Sequence, residues 1–241
     1  MKKLLVAAGA ATAALSAAPA YAVDHPSFRF CEAGYVNRNV DLDETSQTSE
    51  FTAALNADDG SGFRAACTLE LLLGIFVHGE FTQADIDFQA VVDDGLGTDE
   101  FNSDVTNQSL RIGAGLALDI PLLPISAYGQ ASYTQEQFDA GSFVDETTGA
   151  VENVEQDDSG FDLEVGARAV LLNRIDGGVF VRYTDIGAIE VPNSSSDILE
   201  AEEDVRFGAQ AALRVIGPAW ATVRYEAGDV DTIFVGGRIA F

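Results

Sequence analysis

Between residues 161 and 171 the side chains alternate in character. Phe161, Leu163, Val165, Ala167, Ala169 and Leu171 are apolar, and Asp162, Glu164, Gly166 and Arg168 fall between them. A two-residue period belongs to a β-strand, so this segment has one apolar face and one charged face. The same dyad returns as Val205, Phe207, Ala209, Ala211, Leu213 and Val215 against Arg206, Gln210 and Arg214. It returns again as Phe63, Ala65, Cys67, Leu69 and Leu71 against Arg64, Thr68 and Glu70. Beyond residue 22, charged residues interrupt every apolar stretch well before the roughly 20 residues that a spanning helix needs. The pattern predicts an all-β chain.

An internal repeat predicts the strand count. Segments 62–81, 110–133, 163–183 and 205–225 follow one plan: each runs down, turns tightly and returns to an aromatic residue. The region 72–74, the pair Pro121 and Pro124, Asp176-Gly177 and Gly217-Pro218 mark the four turns. Four hairpins supply eight strands. A preceding strand over about 28–40 and a closing strand over about 232–241 bring the total to ten, and folding one hairpin into a loop would leave eight. Long acidic connections near 41–61, 90–106, 138–158 and 190–203 alternate with the tight turns, and Gly228-Asp229 is a short fifth. That rhythm predicts an up-and-down antiparallel barrel crossing a membrane. A soluble sandwich would alternate as well. Ile233, Val235, Gly237, Ile239 and Phe241 share one face of the closing strand, and this ending resembles the C-terminal signature of Gram-negative outer-membrane β-barrels, which implies the barrel.

Composition narrows the setting. The 241 residues carry 13 Lys+Arg against 39 Asp+Glu, for a formal charge of −26, yet 47% are apolar. That is too apolar for a disordered acidic tail and leaves no basic field for nucleic acid. Lys2 and Lys3 precede an apolar run over 4–15, and Ala20-Tyr21-Ala22 has the small-x-small form that a signal peptidase reads. Residues 1–22 are therefore expected to be a signal peptide and 23–241 the barrel. Both lysines of the chain lie in that leader.

In this register nine of the eleven arginines point inward: Arg38, Arg64, Arg111, Arg168, Arg182, Arg206, Arg214, Arg224 and Arg238. Glu32, Glu70, Glu80, Asp162, Glu164 and Glu226 join them. An unpaired charge at mid-membrane depth is costly, so these groups are expected to form an Arg–carboxylate network that plugs the lumen. The planar fork of arginine suits bidentate pairing.

Outside the barrel the segments are acidic, and lipopolysaccharide would repel them unless divalent cations bridged the two. Asp93-Asp94-Gly95-Leu96-Gly97-Thr98-Asp99 has suitable donors, although a solvated acidic loop explains it more simply. No resident metal or cofactor is expected. If the first two strands pair about residue 49, Cys31 and Cys67 fall opposite one another. They then form either a cross-strand disulfide or two free thiols facing lipid.

The C-terminal signature, Val223-Arg224-Tyr225 followed by Asp229-Val230-Asp231-Thr232 and a last strand ending on Phe241, resembles the small outer-membrane β-barrel family of OmpA-like and opacity-like surface proteins. The resemblance implies a location in the outer membrane, surrounded by lipid and lipopolysaccharide. It also implies that Phe241 is part of the insertion signal read by the barrel assembly machinery. A cell-wall tether is not expected, since no peptidoglycan-binding segment follows Phe241. Omptin-type proteases share the ten strands, but their histidine chemistry sits at the extracellular rim, where this sequence has none. His25 lies in the N-terminal tail, and His78, beside Glu70 and Glu80, reads as a further lumen residue, so no catalytic residues are assigned. Two roles follow: a structural or surface-interaction barrel with a plugged lumen, or a narrow channel for small anions.

Overall fold

The computed structural model of the chain describes residues 25–40, 42–47, 52–57, 60–93, 98–144, 151–186, 204–228 and 230–241. The expected signal peptide lies outside the described residues, as do 94–97 of the acidic-glycine stretch. Twelve strands follow one another: β1 (Arg29–Val40), β2 (Leu42–Gln47), β3 (Thr52–Ala57), β4 (Gly60–Glu70), β5 (Ile75–Asp93), β6 (Thr98–Asp119), β7 (Ile125–Val144), β8 (Val151–Leu171), β9 (Ile175–Ile186), β10 (Asp204–Ile216), β11 (Ala219–Ala227) and β12 (Val230–Ala240). No helix occurs among the described residues.

These strands make ten staves, because β2 continues β1 and β3 leads into β4. β1 pairs with β4 and β2 with β3. β1 also pairs with β12, placing Cys31 opposite Ile239, and this seam closes the sheet. Every pairing is antiparallel. The product is a closed ten-stranded up-and-down barrel, and the eight-strand alternative falls away.

The decisive feature is which side chains are covered. On β8, Val165 is 61% exposed while its neighbour Glu164 is 5% exposed. Tyr35, Phe63, Ile112, Phe207 and Val235 face outward in the same way, and Glu32, Arg64, Arg111 and Arg238 are buried inside. A water-soluble sandwich would reverse this arrangement, since isolated charges are expensive to bury and apolar residues are not. An apolar exterior around a charged interior suits lipid.

Glycines and aromatics interlock within the lumen. Phe180 stands between Gly166 on β8 and Gly208 on β10, its register partners on either side. A Cβ added to Gly208 would lie 1.9 Å from the Phe180 ring, so the ring fills the space a side chain would take. Phe76 covers Gly115 in the same fashion.

Two sequence expectations need correction. The third tight turn lies at 172–174 rather than at Asp176-Gly177, with Leu172 and Asn173 at φ 55° and 53°. Asp-Gly is a strong turn signal, but asparagine also tolerates the left-handed region, and here Asn173 takes the bend. Asp176 is thereby released into β9, where it is buried.

Three of the acidic segments read as loops are largely strand, and the fourth, near 190–203, lies outside the described residues. β5 to β8 span 19 to 22 residues each, well beyond the 9 of β11 and 11 of β12 that suffice to cross a bilayer when tilted. The described pairing of β8 with β9 ends at Gly160–Ile186, and its pairing with β7 continues to Val144–Val151, a further run of about 30 Å. Above the lipid both faces of a strand meet water, so alternation no longer marks it.

Candidate functional site

The short turns lie at one end of the barrel, together with the chain's described N-terminal residues and Phe241; this is the periplasmic end in barrels of this kind. From there an ion-pair chain climbs the lumen. Near the turns, Asp176 of β9 accepts from Arg168 of β8 and from Arg238 of β12, the latter at 2.8 Å. Arg238 then reaches Glu32 of β1 at 3.0 Å, and Glu32 accepts from Arg64 of β4 at 2.7 Å. Arg64 passes on to Glu80 of β5 at 2.5 Å, and Glu80 accepts from Arg111 of β6 at 2.9 Å. Arg111 comes within 3.9 Å of Asp162, whose carboxylate also accepts from the Thr134 and Thr184 hydroxyls.

A second group forms a closed ring of four. Arg182 donates to Glu164 at 2.8 Å and to Glu226 at 2.9 Å; Arg224 donates to the same two carboxylates at 3.1 and 2.7 Å. Glu164 has a further donor in the Tyr128 hydroxyl, at 2.8 Å. Each carboxylate is thus shared by two guanidinium groups, which offsets the desolvation that an isolated buried ion would suffer.

Aromatic rings seat the cations. The Arg224 guanidinium lies 3.9 Å above Phe180, Arg238 lies 4.2 Å above Phe30, and Arg64 lies 4.7 Å above Phe234. The tail before β1 folds into the mouth. Phe28 stacks on Phe76 with 4.8 Å between centroids and meets the edge of Tyr128, while Arg168 sits over its ring. A mid-lumen cavity of about 30 Å³, touched by Glu32, Arg64, His78 and Glu164, has room for a water or two and no more.

The sequence profile of the outer membrane protein β-barrel domain matches residues 5–215. The chain belongs to that family. Its members are outer-membrane proteins, and this barrel accordingly resides in the outer membrane of a Gram-negative cell. Among solved structures, the translocator domain of the autotransporter NalP from Neisseria meningitidis is similar, with 11% identity, a TM-score of 0.52 and coverage of 90% of each chain. The β domain of the Bordetella autotransporter BrkA aligns over 88% of this chain and 99% of its own at 12% identity and TM-score 0.49. OprG from Pseudomonas aeruginosa aligns over 92% and 99% at 14% identity and TM-score 0.44. At these identities the likeness concerns the fold alone. No curated protein matches the chain.

Within this outer-membrane barrel most of the expected lumen residues meet, but four take other places. Arg38, near the extracellular end, donates to the side-chain oxygen of Asn107 at 2.5 Å. Glu70 accepts from the Phe28 backbone N–H at 3.4 Å. Arg206 lies directly across the sheet from Arg182, outside the closed ring. Arg214 has inward parity but sits at the level of the turn, where it is exposed and its Nε donates to the Gly217 carbonyl at 2.6 Å. Parity gives the direction of a side chain and says nothing of its height, which explains these displacements.

His78 stands 2.9 Å from the Thr68 hydroxyl and 3.6 Å from Glu80, inside the network. Cys31 and Cys67 are directly opposed and joined as a disulfide, on the outward-facing side of β1 and β4. Phe241 is exposed, and its backbone N–H meets the Arg29 carbonyl at 3.1 Å, tying the chain end to β1.

The sequence reading missed Asp176, Tyr128 and the inward aromatics Phe28, Phe30, Phe76, Phe180 and Phe234. The signal was available in parity: Phe180 is two residues from Arg182, and Phe30 two residues from Glu32.

Proposed function

We propose that this outer-membrane barrel has a structural and surface-interaction role, with a lumen closed to solutes. The observation that supports closure is the crowding at mid-lumen, where a cavity between the ion pairs and the aromatic rings measures about 30 Å³. A hydrated ion needs a continuous path, and here every stave contributes side chains that fill the cross-section. The surface role falls to the tall wall of β5 to β8, whose acidic segments would meet lipopolysaccharide phosphates through bridging divalent cations.

The test is conductance of the refolded full chain in planar bilayers. This reading expects no resolved single-channel steps. A reproducible anion-selective step current would replace it with a narrow channel.

A further inference from the structure

The periplasmic mouth departs from the charge of the whole. In a chain of net charge −26, a cavity of about 140 Å³ at this end is lined by Arg168, Arg214 and Arg238, with Trp220, Asn173 and a single carboxylate, Asp176. The arrangement follows from register. Arg214 of β10 pairs with Trp220 of β11, and Trp220 with Arg238 of β12, so three adjacent strands set these side chains in one inward-facing row. Arg168 reaches the cavity from β8.

The three guanidinium groups outnumber the carboxylates that reach them. Asp176 is shared between Arg168 and Arg238, and Glu32, the second partner of Arg238, is shared in turn with Arg64. Arg214 gives its Nε to the Gly217 carbonyl, and its two terminal nitrogens meet no carboxylate among the described residues. A guanidinium fork left open beside two others, in a cavity several waters large, is an anion-binding arrangement.

We propose that the periplasmic mouth binds a phosphate group. A planar carboxylate offers two oxygens in one plane. A tetrahedral phosphate can accept from guanidinium groups arriving from β8, β10 and β12, which approach from different directions. The group can belong to a soluble phosphate ester or to a phospholipid headgroup, and the chemistry of recognition is the same.

Trp220 is the sole tryptophan of the chain, so its emission reports on this cavity directly. The refolded full chain in maltoside micelles is titrated with inorganic phosphate at constant ionic strength, with chloride as reference. A second arm adds phosphatidylglycerol to the micelles, with phosphatidylcholine as reference. The expected result is a saturable change in Trp220 emission with a midpoint at least about tenfold weaker in Arg214→Ala, a loss typical of a charged hydrogen bond. Arg174→Ala, in the neighbouring turn, keeps the native midpoint. Saturation by free phosphate assigns a soluble ligand, and saturation by phosphatidylglycerol alone assigns a lipid headgroup. Heat-modifiable gel migration verifies folding, and Arg214→Gln carries the comparison if the alanine variant does not fold. No saturable change in either arm, or an unchanged midpoint in the folded Arg214 variant, overturns the proposal.

Discussion

Arg182 and Glu164 face one another directly across β9 and β8, and the guanidinium donates twice to a single carboxylate oxygen, at 2.8 and 3.1 Å. Arg224 adds a third bond to the same oxygen at 3.1 Å. The ring containing these residues ties together β8, β9 and β11 around the buried Phe180.

Glu164→Gln leaves Arg182 and Arg224 to share Glu226 alone. It is expected to destabilise the folded barrel by about 3–5 kcal/mol, the cost of stranding a buried charge. Urea unfolding in micelles measures it. The double variant Glu164→Gln/Arg182→Met is expected to lose less than the sum of its parts, with a coupling of about 1 kcal/mol or more. Strict additivity would mean that the two groups do not interact in the membrane.

Gly208→Ala drives a methyl group into the Phe180 ring and should cost about 1–3 kcal/mol. Gly79→Ala is the contrast: a Cβ there meets nothing within 4 Å, on the outward face opposite Cys67. Equal unfolding midpoints for the two variants would contradict the interlocking of aromatic and glycine.

The Cys31–Cys67 bond spans a sequence separation of 36. Its replacement by serine at both positions should lower stability by about 2–4 kcal/mol through the freer unfolded chain. Thiol titration of the denatured, unreduced protein is the direct check, with no free thiol expected. Two titrating thiols would show that the pair is unbonded.

Much of the barrel was legible because lipid reads strand parity strictly. Val165 and Glu164 have no choice of face at mid-membrane height, and the sequence between 161 and 171 states it. Where that constraint lapses, legibility ends. The acidic residues of segments 98–106 and 151–158 read as loop, although backbone pairing continues through both. The site was legible in direction more than in partnership. Arg214 and Arg238 share parity and flank Trp220 in one register row, yet one lies exposed beside a turn and the other is buried against Glu32. Asp176 was hidden by its glycine neighbour, which suggested a turn that Asn173 supplies instead.

The central claim is that alternate residues face lipid on one side and a closed, charge-filled interior on the other. Spin labels on single cysteines at 209 through 213, in a Cys31→Ser/Cys67→Ser background in bilayers, read it directly. Labels replacing Ala209, Ala211 and Leu213 should collide freely with oxygen dissolved in the lipid. Those replacing Gln210 and Ala212 should be shielded both from oxygen and from a water-soluble paramagnetic reagent. Free access of that reagent to positions 210 and 212, or an absence of alternation along the strand, would contradict the closed inside-out barrel.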